Sequence, residues 1–312
     1  MKKALFLAGL FFITQCTAQK NTNNMMKDIL APYPFTTKYI KSNKGELAYV
    51  EAGKGDKTLI FIHGLSSNAD AWSKNIEVLQ KKYRCIAIDL PGYGRSYKVG
   101  EAFTPTIFAD AVKQLMTQLK INKAVVVGHS MGGQTAIKFA ANNPELVSSL
   151  VLVAPAGIEE FTALEGNMMT AIMTQQTVES TTDEQIRKNY ETNFNQMPKE
   201  VEQMIKDRIN IKHAADFGDH AMAIQKSVKG MLDDKVIDDL SKIKVPTLVM
   251  YGDKDMLIPN RYFHANMTVN DVANKAKDLI RNSEVKIISD GGHFLQYEKA
   301  KEVNDEILNF LK

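Results

Sequence analysis

The 312-residue chain has two cysteines and one tryptophan, and the shortage of cysteine is informative. A disulfide-held scaffold is excluded: if Cys16 leaves or is modified with the amino-terminal segment, Cys85 has no partner. Cys85 lies in an apolar strand pattern and reads as a small buried hydrophobe. Long apolar runs are also missing. Ala4–Ile13 is ten residues, against the roughly 20 that a membrane-spanning helix requires. Nor does one sign of charge dominate: 39 Lys and Arg face 36 Asp and Glu, giving +3. With no basic block, a nucleic-acid partner is excluded. No internal repeat or low-complexity tract is visible. What is present is 44% hydrophobic and 24% charged, the composition of a soluble globular chain long enough for one large α/β domain with an insertion.

Residues 1–18 read as a signal peptide rather than as part of the fold. Met1-Lys2-Lys3 is a positive start, Ala4–Ile13 an apolar centre, and Cys16-Thr17-Ala18 places small residues where a signal peptidase cuts. The expectation is an exported protein, periplasmic or secreted. A second reading makes Ile13-Thr14-Gln15-Cys16 a lipobox and attaches Cys16 to a membrane; Gln15 fits that poorly, because a small residue is usual there. Cleavage after Ala18 removes Lys2 and Lys3 and no acid, leaving +1. Residues 19–34 read as a flexible amino-terminal segment.

From residue 35 onward strands alternate with helices. Glu46–Glu51 reads as an edge strand, and Thr58–Ile62, Arg84–Ile88, Ala124–Val127, Leu150–Val153, Thr247–Met250 and Val285–Ser289 continue the series. Helical patterns at Asn75–Lys82, Thr104–Leu119, Gln134–Asn142 and Ala300–Leu311 lie between or after them. This predicts a mainly parallel, doubly wound α/β sheet with chemistry at the carboxyl ends of its strands. Residues 157–240 contain no convincing strand, only four helical stretches, and the segment holds seven of the fifteen methionines. They read as a helical cap inserted into a core of residues 35–156 and 241–312. Methionines at helical spacing serve as core filler; the sharper alternative is an adaptable apolar pocket under a lid.

The sequence Val125-Val126-Val127-Gly128-His129-Ser130-Met131-Gly132-Gly133 places a serine between glycines where a buried strand turns into an amphipathic helix. Gly128 and Gly132 leave room that a side chain would take from the neighbouring strand or helix. The helix amino terminus beyond Ser130 favours a developing oxyanion. A serine needs a base. Of six histidines, His293 lies in a flexible loop, Asp290-Gly291-Gly292-His293, directly after an apolar strand and on the sheet edge that carries Ser130. His129 adjoins the serine but points away, His63 reads as loop-stabilising, His213 and His220 belong to the insertion between residues 157 and 240, and His264 lies in a helical stretch. The base needs a carboxylate, and Asp253 and Asp255 compete after Thr247–Met250; Asp255 reaches further toward His293. Met131 and Leu65 are the candidate amides of an oxyanion hole, with Gly64 letting the loop turn inward. Asp89-Leu90-Pro91-Gly92-Tyr93-Gly94-Arg95-Ser96 lacks the following lysine of a phosphate loop and reads as a shaped turn.

These segments together resemble the α/β-hydrolase superfamily over nearly all of the chain after about residue 35. His63-Gly64, Asp89–Ser96, Gly128–Gly133, Gly252-Asp253-Lys254-Asp255 and Gly292-His293 carry the resemblance. It implies a Ser130–Asp255–His293 triad, an acyl-enzyme, a helical cap, and neither metal nor cofactor. Ser130 and Leu65-Ser66-Ser67 depart from the branches with an aspartate nucleophile. The expected substrate is a small-molecule ester or other acyl compound. Few basic residues are evident near the pocket, which favours an uncharged acyl chain. Peptidase, amidase and carbon–carbon bond hydrolase are the alternatives within the fold, and a non-catalytic ligand-binding protein is the alternative outside enzymes.

Overall fold

A computed structural model describes residues 23–312, so the signal-peptide and Cys16 expectations lie outside the described residues. Eight strands form one sheet in the order β1-β2-β4-β3-β5-β6-β7-β8. They are β1 Thr37–Ser42, β2 Gly45–Ala52, β3 Thr58–Ile62, β4 Arg84–Ile88, β5 Ala124–His129, β6 Val147–Val153, β7 Thr247–Gly252 and β8 Ser283–Ile288. The β1–β2 and β2–β4 pairings are antiparallel, and every later pairing is parallel. Strands β3 and β5 are buried along their whole length, as continuous apolar runs require when helices cover both faces.

The covering helices are α1 Met26–Ile29, α2 Ser73–Leu79, α3 Pro105–Gln118, α4 Met131–Asn142, α5 Ala163–Ile172, α6 Gln175–Ser180, α7 Asp183–Thr192, α8 Val201–Asn210, α9 Phe217–Asp233, α10 Ile237–Leu240, α11 Val269–Leu279, α12 Leu295–Glu298 and α13 Ala300–Phe310. Six of them, α5 to α10, stand between β6 and β7 where one crossover helix would suffice. Among the described residues no helix is long and apolar enough to cross a membrane.

Three expectations need correction. Glu46–Glu51 is not the edge strand: β1 lies outside it, and its Thr-Lys-Tyr-Ile-Lys-Ser sequence buries Ile40 alone, leaving too little apolar signal. The described part of residues 19–34 is packed rather than flexible. Met26 and Leu30 are buried, Met26 N–H donates to Asp216 Oδ1 at 2.7 Å, and Arg95 Nη2 donates to the carbonyls of Leu30 and Ala31. The helix after Ser130 is buried on all sides rather than amphipathic, from Met131 to Ala140. Its polar side chains are occupied: Gln134 Nε2 donates to Met231 O at 2.8 Å, and Lys138 Nζ lies 3.0 and 2.7 Å from Asp234 and Asp239.

Candidate active site

At the end of β5 the backbone of Ser130 adopts φ 54° and ψ −118°, a conformation that an L-residue reaches only under constraint. The constraint is steric and comes from both sides of the turn. A Cβ on Gly128 would lie 2.2 Å from Gly132 O, and one on Gly132 would lie 2.2 Å from Ile62 O. Strand, turn and helix therefore meet backbone to backbone, and the Ser130 side chain is left half-buried above the sheet. Ser130 N–H donates to Val153 O and Ser130 O accepts from Ala156 N–H, which anchors the turn to the end of β6.

His293 Nε2 stands 3.0 Å from Ser130 Oγ, and its Nδ1 stands 2.8 Å from Asp255 Oδ2. Asp255 is fully buried, and its other oxygen accepts the amides of Leu257 and Ile258 at 2.8 and 2.9 Å. Those two amides aim the carboxylate at the imidazole. Asp253 stays at the turn: its N–H donates to Ile288 O and its Oδ2 pairs with Lys254 at 3.3 Å. Ser130, Asp255 and His293 are thus brought together, with an imidazole placed to take a proton from an oxygen and a carboxylate placed to hold the imidazolium.

Gly64 is tight against the serine, since a Cβ there would lie 3.2 Å from Ser130 Cβ. Leu65 follows it, and Ser66 has φ 56°, which turns this loop toward the turn at Ser130. Among the described residues, neither Leu65 N–H nor Met131 N–H donates to another backbone or side-chain acceptor. Two free amides flanking one serine suit a developing oxyanion.

Three of the other histidines, His63, His129 and His220, hold backbone. His63 Nδ1–H donates to Gly64 O at 2.8 Å and its Nε2 accepts Leu90 N–H at 3.1 Å, which fixes one tautomer. Burial lowers its pKa. His129 Nε2–H donates to His293 O at 2.9 Å; burial, then the adjacent His293, push its pKa well down. His220 donates to Gly92 O, and burial takes it to about 3. His264 was expected in a helix but lies in a turn, where it pairs with the buried Glu159 at 2.5 Å. Asp89 organises the Asp89–Ser96 turn by accepting from Tyr33 Oη, Ala69 N–H and Arg95 N–H, and no phosphate-type cradle forms.

One basic residue was missed. A cavity beside the loop that follows Gly64 is lined by Ser66, Ser67, Asp70, Met204, Asp207 and Arg208; Ser130 and His293 do not line it. Arg208 Nη1 is buried without a hydrogen-bond partner, and burial lowers the guanidinium pKa. Asp70, across the same cavity, is pushed up to about 6, chiefly by burial. The sequence does not show this base: α8 carries Arg208 in from 78 residues along the chain from Ser130. Of the insertion's methionines, Met204 reaches this cavity, Met173 and Met231 pack on the core, and Met168 is exposed. Among the described residues no cluster of three His, Cys, Asp or Glu is arranged to hold a metal.

Comparison with known proteins agrees with this architecture. A hydrolase of Escherichia coli O81 (strain ED1a) acting on 2-hydroxy-6-oxononadienedioate and 2-hydroxy-6-oxononatrienedioate is 30% identical, over 84% of this chain and 89% of its own. The acetyltransferase component of the acetoin cleaving system of Pseudomonas putida is 29% identical over 83% of this chain, which spans 65% of that relative's length. A carboxylesterase of Bacillus subtilis superposes with a TM-score of 0.72 at 21% identity, covering 92% of this chain and 94% of its own, a likeness of fold. The family profile for the alpha/beta hydrolase fold matches residues 57–300, and the chain belongs to that family.

Proposed function

We propose that the chain is an exported serine hydrolase that cleaves carboxylic esters through Ser130, His293 and Asp255. The observation that carries this reading is the continuous Ser130 Oγ–His293–Asp255 contact at 3.0 and 2.8 Å, beside two amides without acceptors. In the proposed cycle His293 takes the Ser130 proton as Oγ attacks the ester carbonyl. The Leu65 and Met131 amides hold the oxyanion. His293 then protonates the departing alcohol, leaving an acyl group on Ser130. Water, deprotonated by His293, attacks that acyl group and releases the acid. No step requires a metal or cofactor. Residues 1–18 support export, with membrane attachment through Cys16 as the variant; the intact mass of the processed protein separates the two.

A purified-protein screen over ester acyl lengths tests the reading. Hydrolysis is expected in the wild type, and Ser130→Ala should lower kcat by at least about 10⁴ while the fold persists. Turnover retained by the pure variant would overturn the assignment. A second reading, carbon–carbon bond hydrolysis of an acidic substrate, is favoured by Arg208 beside the oxyanion loop and by the similarity to the Escherichia coli hydrolase. Asp70 and Asp207 in the same cavity weigh against a second negative charge there. Including a dioate substrate in the screen decides between them.

A further inference from the structure

The loop that carries His293 is bonded on both flanks by the helical insertion. Phe294 N–H donates to Asn193 O at 2.8 Å, and Asn195 Nδ2 donates to Asp290 O at 3.1 Å. Between these contacts the Glu298 carboxylate bridges two main chains. One oxygen accepts Gly292 N–H at 2.7 Å, and the other accepts Gln196 N–H at 2.5 Å. Gly292 leaves no gap in this seam, since a Cβ there would lie 2.7 Å from Asn195 N and 2.8 Å from Asn193 O. The Phe194 and Phe294 rings close it edge to face at 5.4 Å. The core contributes the His129 bond to His293 O, the Asp255 bond to the ring, and Lys254 N–H to Gly291 O at 2.9 Å.

We propose that residues 193–196 of the insertion, bridged through Glu298, position the His293 base, so that docking of this segment and readiness of the base are one state. The proposal rests on the reading of His293 as the base. Both oxygens of Glu298 accept amides, in charge-assisted bonds stronger than neutral ones. Glutamine keeps the shape but turns an NH₂ toward one of the amide donors, so one bond is lost. The loop flanking His293 then loosens, and a displacement of about 1 Å at a reacting group costs on the order of 10²-fold in rate. A lid that opened by moving 193–196 would disarm the base as it opened. Access that preserves the triad must come from elsewhere in the insertion.

The test compares Glu298→Gln and Glu298→Ala with the wild type and with Glu302→Gln, an exposed acid in the next helix, α13. Expected are a fall in kcat of roughly 10- to 100-fold with little change in KM, and an acid limb of kcat moved to lower pH as the imidazolium loses part of its Asp255 contact. The low-field proton resonance of His293 Nδ1 should broaden in both Glu298 variants and stay sharp in Glu302→Gln. Titrating active sites with a fluorophosphonate expresses kcat per folded site. Unchanged kcat per labelled site with a sharp Nδ1 proton would overturn the proposal, including when the number of sites falls through misfolding. If Glu298→Ala does not fold, the isosteric Gln variant decides. A wild type that fluorophosphonate cannot label overturns the serine-hydrolase reading and this one with it; a labelled wild type with unaltered Glu298 variants overturns this one alone.

Discussion

A single side chain decides little at the turn after β5; the absence of three does more. Gly64, Gly128 and Gly132 let the ends of β3 and β5 and the start of α4 approach until a Cβ would meet neighbouring atoms at 3.0 Å or less. Ser130 is strained as a consequence, and its hydroxyl is presented to His293 rather than to the sheet. The same economy separates the two candidate acids. Asp255 has one oxygen satisfied by amides and the other on His293, whereas Asp253 is used locally. Asp255→Asn is therefore expected to lower kcat by about 10⁴, because the amide cannot hold the required tautomer and stabilise the imidazolium. Asp253→Asn should change kcat by less than about 3-fold, since the rest of its turn is held by backbone bonds. Steady-state kinetics on the two variants make the comparison. Equal losses would return Asp253 to the site.

At the scale of elements, α4 joins the turn at Ser130 to the return end of the insertion. Lys138 on its buried face is held between Asp234, at the end of α9, and Asp239 in α10, while Gln134 bonds the carbonyls of Met231 and Asp234. Burial works against charge on all three groups, but the pairing outweighs it. Lys138 is raised, and Asp234 and Asp239 are lowered; Thr106 assists at Asp234 and Lys242 at Asp239. Carboxylates whose folded pKa lies below the unfolded one contribute stability that is complete above about pH 4 and is lost as pH falls through the folded value. The lysine's contribution is complete below about pH 10 and is lost as pH rises through its raised value. Lys138→Met leaves the buried Asp239 with Lys242 alone and the half-buried Asp234 with Thr106 N–H alone, and should cost about 1 to 3 kcal/mol near neutral pH. The deficit should shrink below about pH 4, where the acids protonate. Thermal melts of both proteins from pH 3 to 8 measure it, and a pH-independent difference would remove the ion cluster as the cause.

For the whole molecule, the amino-terminal segment belongs to the fold earlier than its composition suggests. Met26, Leu30 and Tyr33 are buried against the core, and Tyr33 Oη donates to Asp89 at 2.9 Å. Each buried apolar side chain is worth about 1.5 to 3 kcal/mol, so a chain beginning at residue 35 should melt well below one beginning at residue 23. Equal melting temperatures would mean the segment contributes nothing. The sequence was misleading here because Met26, Leu30 and Tyr33 have helical i, i+4, i+7 spacing, but Pro32 and Pro34 interrupt a helix and only Met26–Ile29 is helical. It was misleading again at α4, where Gln134 and Lys138 read as a solvent face although the return of the insertion covers them. At α11 the signal existed: Val269, Val272, Ala273 and Ala276 follow helical spacing and are buried, yet the surrounding charge hid it. By itself, the sequence determined the mainly parallel, doubly wound sheet and the turn at Ser130, and it pointed to Asp255 and His293, which the fold brings into contact in line with Ser130. Local steric and periodic rules act within a few residues, and loops at strand ends fall on one edge of a parallel sheet. Only the tertiary structure decided that Arg208 enters a cavity beside Ser66, and that Glu298 binds the base loop to Gln196 across 102 residues of chain. Such pairings depend on how the insertion folds back over the core, and no local spacing encodes that path.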